Sequence, residues 1–217
     1  MQRINGKNIS RPVFIQHGVL SSSVDWLIGR IACVLADSGF DVWLGNVRGN
    51  IYSRAHSTLS PDEDEFWNFS FEDHAAFDIP AMVSFVLTST NKDQLVYIGH
   101  SQGSLIGLIQ LSRNQEFADK VALMIALAPT LSFQGVYCPF LSLAPYHRHF
   151  YVYSYLFQPS STSVKNMVHY SQVISSGQLR HYDYDQDNMR FYNQVFNFCH
   201  SRPHPHSTMY PISTHPL

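Results

Sequence analysis

Five residues, Gly99-His100-Ser101-Gln102-Gly103, constrain this chain most, because they join an apolar run, Leu95-Val96-Tyr97-Ile98, to a helix-like stretch, Ser104-Leu105-Ile106-Gly107-Leu108-Ile109. A strand that turns this abruptly into a helix needs backbone conformations that side chains hinder. Glycines two residues either side of Ser101 remove that hindrance and let strand and helix pack close. The serine hydroxyl is then expected to stand exposed at the carboxyl end of a strand, where a nucleophile is needed.

The order of elements fits a parallel sheet wound with helices. Val13 to Gln16 reads as a strand, Trp26 to Ala36 as a helix with Trp26, Leu27, Ile31, Val34 and Leu35 as its apolar positions, and Phe40 to Leu44 as a second strand. Ser70 followed by Asp73 resembles a capping box, opening a helix toward Leu87 with Pro80 as a kink or break. Leu95 to Ile98 and Val121 to Leu127 are almost continuously apolar, which predicts buried parallel strands joined by right-handed crossovers.

The run Pro12-Val13-Phe14-Ile15-Gln16 passes directly into His17-Gly18-Val19-Leu20. An HG turn after an early strand can supply one donor of an oxyanion hole, so the backbone N–H groups of Val19 and Gln102 are expected to face the carbonyl oxygen that becomes negative in acyl transfer. His17 reads as a turn histidine bonding to local backbone. His100 sits beside the serine on a sharp turn and cannot aim its ring at the hydroxyl.

Taken in order, Gln16-His17-Gly18, the run from Asp41 to Asn50 (DVWLGNVRGN), Tyr52-Ser53, Leu59-Ser60-Pro61, Phe66 to Phe71 (FWNFSF), Asp78-Ile79-Pro80-Ala81 and Gly99 to Gly103 resemble the acid lipases, the gastric and lysosomal enzymes and their relatives. The likeness runs from about Arg11 to Thr130, resumes at Ser161 to Tyr170 in a segment similar to that family's cap, and fades after Phe191-Tyr192-Asn193. It implies an α/β-hydrolase core, a mostly parallel sheet that is incomplete here, with a shortened cap. Residues 1–130 would form the partial core, 131–193 the cap-like region and 194–217 a disordered tail. The resemblance also implies hydrolysis of neutral lipid esters of the triacylglycerol or cholesteryl ester class, no metal or organic cofactor, Ser101 as nucleophile, and Val19 and Gln102 as oxyanion donors. Val19 stands where the family usually has leucine, which leaves the backbone N–H in place. The cap could present a lipid-binding surface, and the family is secreted or lysosomal.

The same comparison exposes a gap. The acid and histidine of such a triad follow the nucleophile on later strands, and those strands would lie beyond Asn193. Asp183, Asp185 and Asp187 read as solvated loop carboxylates. Among the later histidines His200, at the end of the Phe191 to Phe198 run, is the one candidate for a substitute base. The pairs His147/His149 and His204/His206 lack a third ligand at a recognisable spacing and read as surface histidines. Two readings stay open: an ester hydrolase with a relocated acid and base, or a non-catalytic lipase-like remnant that binds lipid or a partner.

With 217 residues, 45% hydrophobic content, 14% charged residues and net charge −2, the chain can bury one sizeable core and has no electrostatic footprint for nucleic acid. No apolar run is long enough to span a bilayer, and the amino terminus has no signal-like apolar segment. Cys33 reads as a buried helix residue, while Cys138 and Cys199 could pair if the cap brings them together. The aromatic run Phe150 to Phe157 suits either a lipid-facing lid or packing of cap on core.

Overall fold

The sheet is built around β2 (Pro12–Gln16), whose five residues are all buried. β2 pairs in parallel with β3 (Asp41–Leu44) on one side and β4 (Leu95–His100) on the other, and β5 (Val121–Leu127) extends the sheet parallel to β4. The computed structural model describes residues 1–5, 11–135 and 160–192, and within them, with β1 (Gln2–Ile4) at one edge, the sheet order is β1-β3-β2-β4-β5. β1, which the sequence pattern did not predict, lies antiparallel on β3. The Arg3 guanidinium holds it there, bonding both oxygens of the buried Asp41 at 2.8 and 2.9 Å and lying 4.7 Å above the Trp43 ring.

Alternation along the strands divides the core in two. Phe14, Trp43, Leu95 and Tyr97 point to one face, covered by α3 (Phe71–Asp73), α4 (Ile79–Thr90) and α5 (Gln102–Arg113). Val13, Ile15, Val42, Leu44, Val96 and Ile98 point to the other, covered in part by α1 (Val24–Ile28) and α2 (Ile31–Asp37). Each fully buried Phe, Leu or Ile contributes about 2 kcal/mol of transfer free energy.

The sequence reading and the structure also differ in the helices and at the sheet edge. The helix expected over Trp26 to Ala36 is two helices, because Arg30 takes the left-handed conformation at φ 60° and restarts the chain direction. Ile31 and Val34, two of the apolar positions of the expected helix, are 42% and 58% exposed. Pro80 does not break its helix: a π turn over His74–Asp78 precedes α4, so the ladder shifts register just before the residue that lacks an N–H. β5 is parallel as expected, yet Leu123, Ile125 and Leu127 are exposed, since β5 is the sheet edge among the described residues. A groove of about 580 Å³ opens on that side, floored by Val96, Ile98, Leu123 and Ile125. α6 (Gln115–Asp119) leads into β5, and beyond it are α7 (Val164–Ser176) and α8 (Asn188–Tyr192). Cys33 is half-buried on α2 and unbridged; Cys138, Cys199 and the run from Phe150 to Phe157 fall outside the described residues.

Candidate active site

The turn from β4 to α5 is a single residue. Ser101 carries it at φ 51°, ψ −116°, a conformation that side chains avoid and that persists only where neighbours enforce it. Four bonds do so. The Ser101 N–H donates to Leu127 O at 2.9 Å, the Ser104 hydroxyl bonds Gly99 O at 2.7 Å and Leu127 O at 3.1 Å, and the buried Tyr97 hydroxyl donates to Gly103 O at 2.8 Å. Burial raises the Tyr97 phenol well above its usual pKa, so it remains a donor.

The flanking glycines are required by contact. A Cβ on Gly99 would lie 2.6 Å from the Gly103 carbonyl carbon, and one on Gly103 would lie 2.4 Å from Gln16 O. Both obstacles are backbone and cannot yield. The second contact also seats the HG turn beside the elbow: a Cβ on Gly18 would sit 3.2 Å from Ser101 Cβ. Val19 follows Gly18, and Gln102 is the first residue of α5, whose N–H has no intrahelical acceptor. The structure thus brings Ser101, the Val19 turn and the Gln102 N–H to one end of the sheet.

The run after β3 buttresses the HG turn. Asn46 accepts from the Ser23 N–H and donates to the Ser23 hydroxyl, both at 3.0 Å, and Asn50 donates to Ser21 O at 2.8 Å. His17 bonds the Gly18 carbonyl through Nδ1 at 2.7 Å, while its Nε2 receives the Val47 N–H and Asn50 Nδ2 at 3.4 and 3.3 Å. Desolvation lowers its pKa to about 4, so the ring is neutral with both nitrogens occupied. It is the locally bonded turn histidine the sequence suggested. Arg48 ties the same loop to the π turn, its N–H and Nε bonding the Asp78 carboxylate at 2.9 and 2.8 Å.

Two residues to which sequence reasoning gave no role surround Gln102. His74, wholly buried, faces the Gln102 Nε2 through Nδ1 at 3.2 Å, and Asn166 of α7 donates to the Gln102 Oε1 at 2.9 Å. Desolvation lowers the His74 pKa to about 3. The signal available in sequence was polarity out of place: His74 and Asn166 both occur where apolar neighbours would suit a buried helix face.

Among the described residues nothing bonds the Ser101 hydroxyl; a carboxylate-histidine contact, His181 with Glu72, links residue 181 to α3. Asp185 and Asp187 are exposed, and Asp183 holds the turn before α8 through Asn188 and the Asp185 N–H. His200 lies outside the described residues. No group of three or more His, Cys, Asp or Glu able to hold a metal ion occurs among the described residues.

The sequence profile of the α/β hydrolase fold matches residues 11–194. Human lipase member K is 32% identical over 248 residues, covering 86% of this chain and 62% of that protein. Mouse gastric triacylglycerol lipase is 33% identical over 251 residues, covering 88% and 64%. The lysosomal acid lipase/cholesteryl ester hydrolase of Macaca fascicularis is 47% identical over 124 residues, covering 55% of this chain and 31% of its own length. The chain therefore spans less than two thirds of each of these relatives. Alignments longer than the part of the chain they use also mean that lipase member K and the gastric lipase carry internal stretches with no counterpart here.

Proposed function

The chain belongs to the α/β hydrolase fold family and is related within it to the acid lipases; from that premise we propose that it is a carboxylic ester hydrolase acting on neutral lipid esters, with Ser101 as nucleophile. The observation that carries this reading is Ser101 at positive φ between β4 and α5, with the HG turn packed against it. In the reaction the Ser101 Oγ bonds to the ester carbonyl carbon and its proton passes to a base. The carbonyl oxygen becomes an oxyanion facing the Val19 and Gln102 N–H groups. Collapse breaks the C–O bond to the alcohol, which leaves with a proton, and water then cleaves the acyl-serine to release the acid and restore the hydroxyl. Neither step calls for a metal or an organic cofactor.

The acid and base are unassigned among the described residues, and His200 is the candidate base outside them. A positioned histidine matters: removing one triad member typically leaves only about 10³ to 10⁴-fold acceleration over water. Residues 131–193 would form a shortened cap that presents a lipid-binding surface, and the protein would act in the secretory route or the lysosome. No helix among the described residues is long and apolar enough to cross a membrane. The unbonded Ser101 hydroxyl favours a second reading, a lipase-like protein that binds lipid without turnover. Hydrolysis of a short-chain aryl ester and of an emulsified triacylglycerol by the full chain, beside Ser101→Ala, separates them. Slow turnover that Ser101→Ala abolishes supports the proposal; equal rates for both proteins refute it.

A further inference from the structure

Gln102 has two functions available to it, because its backbone N–H and its side chain point to different places. The N–H belongs to the first turn of α5 at the elbow. The side chain, 1% exposed, runs the other way between the π turn and α7 and ends in hydrogen bonds at both of its polar atoms. We infer that Asn166 is a positioning residue for the hydrolysis proposed above, fixing through the Gln102 side chain the direction of the Gln102 backbone N–H and so making that N–H sensitive to the docking of α7. The inference rests on the assignment of Gln102 as oxyanion donor.

The donor directions run one way. Asn166 Nδ2 has no lone pair to offer and must donate, to Gln102 Oε1 at 2.9 Å and to the Thr162 hydroxyl at 3.0 Å. That orients the Gln102 amide with Nε2 toward His74, so His74 Nδ1 accepts and its ring proton sits on Nε2. Burial keeps the His74 ring neutral, which leaves one ring nitrogen free to accept. Asn166 is itself anchored to the core. Its N–H donates to the Ser163 hydroxyl at 2.9 Å, Ser163 bonds Phe69 O, Ser161 bonds Gly49 O, and Lys165 reaches Asn68 at 2.8 Å. Residues 161–166 therefore seat the start of α7 on the run after β3, at Gly49, and on the loop at Asn68 and Phe69. Gln102 carries that seating to the elbow. Among the described residues no other hydrogen bond of the Gln102 side chain calls for polarity: a purely structural residue at a buried helix start could be leucine.

The test uses the full chain, isotope-labelled, with Asn166→Ala and Asn166→Asp. The Ser104 and Leu105 N–H groups both donate to Ser101 O and report the elbow turn, while Ile15 in β2 serves as the internal control. Asn166→Ala is expected to speed amide exchange at Ser104 and Leu105 at least tenfold while Ile15 is unchanged. Asn166→Asp replaces the donor by an acceptor of the same shape. The Gln102 amide should then turn over, its Oε1 should face His74, and the His74 proton should move to Nδ1, a change visible in the imidazole ¹⁵N shifts; elbow protection should be retained. Unchanged exchange in Asn166→Ala, or an unchanged His74 tautomer in a folded Asn166→Asp, overturns the inference. Labelling of Ser101 by a fluorophosphonate, run on the same samples, should slow at least tenfold in Asn166→Ala. If native protein takes no label at Ser101, the nucleophile assignment fails, and the exchange and tautomer data still decide the interlock by themselves.

Discussion

Acidification should unfold this protein through its buried histidines. His17, His74 and His169 are each buried, and desolvation is the largest cause lowering their pKa values to about 4, about 3 and about 4 from 6.5. In the unfolded chain all three take up protons as pH falls through about 6.5; in the folded chain they stay neutral until about pH 4. The unfolded state thus binds more protons between those limits. Stability is full above about pH 6.5 and is lost as pH falls toward 4. Linkage gives about 2 kcal/mol per histidine between pH 7.5 and 5, or on the order of 6 kcal/mol for the three, against a total of about 5–15 kcal/mol for an ordinary domain. Urea unfolding followed by tryptophan fluorescence from pH 7.5 to 5 should show the midpoint falling steeply below pH 6.5. His74→Met, which removes one of the three titrations, should flatten that slope by about a third, while costing about 1 kcal/mol at pH 7.5 for the Gln102 amide left without its acceptor. A stability that is level or rises between pH 7 and 5, or a slope unaltered in His74→Met, would refute the argument.

Three further outcomes follow from the geometry. Gly103→Ala should destabilise by about 3 kcal/mol or prevent folding, because its Cβ meets the Gln16 carbonyl oxygen; thermal melting checks it. Arg48→Lys should lower the melting temperature by a few degrees through loss of the two guanidinium contacts to Asp78 Oδ1, a part-exposed pair worth about 1 kcal/mol, with less effect on the rate per folded molecule; a larger loss in rate than in stability would contradict this. Ile125→Lys, on the exposed edge strand, should reduce concentration-dependent association measured by light scattering, since a charge on an open apolar edge blocks strand addition; unchanged association would locate the sticky surface elsewhere.

What could be read from the sequence was whatever a local rule governs. The elbow needed only the glycine spacing and the change from strand to helix, and the capping box at Ser70 and Asp73 forms as its spacing suggests. The exposure of Ile31 and Val34 was not legible because periodicity reports amphipathic spacing without saying whether anything covers that face. β5 was misjudged for the same reason: an edge strand and a central parallel strand can share one apolar composition. The hydrogen bonds of Asn46 to Ser23, of Asn50 to Ser21 and of Asn166 to Gln102 join residues 23, 29 and 64 positions apart. No local pattern announces such pairs. The acid and histidine could not be read because the elements expected to carry them in this fold follow the part of the chain where the likeness is strong.

The proposal that the half-buried Ser101 is a nucleophile beside two backbone donors is tested most directly by covalent labelling. The full chain incubated with a fluorophosphonate, digested and analysed by mass spectrometry should carry one adduct, on Ser101, at a rate well above that of its other serines, and Ser101→Ala should carry none. Labelling spread evenly over exposed serines, or confined to a residue other than Ser101, would contradict the account.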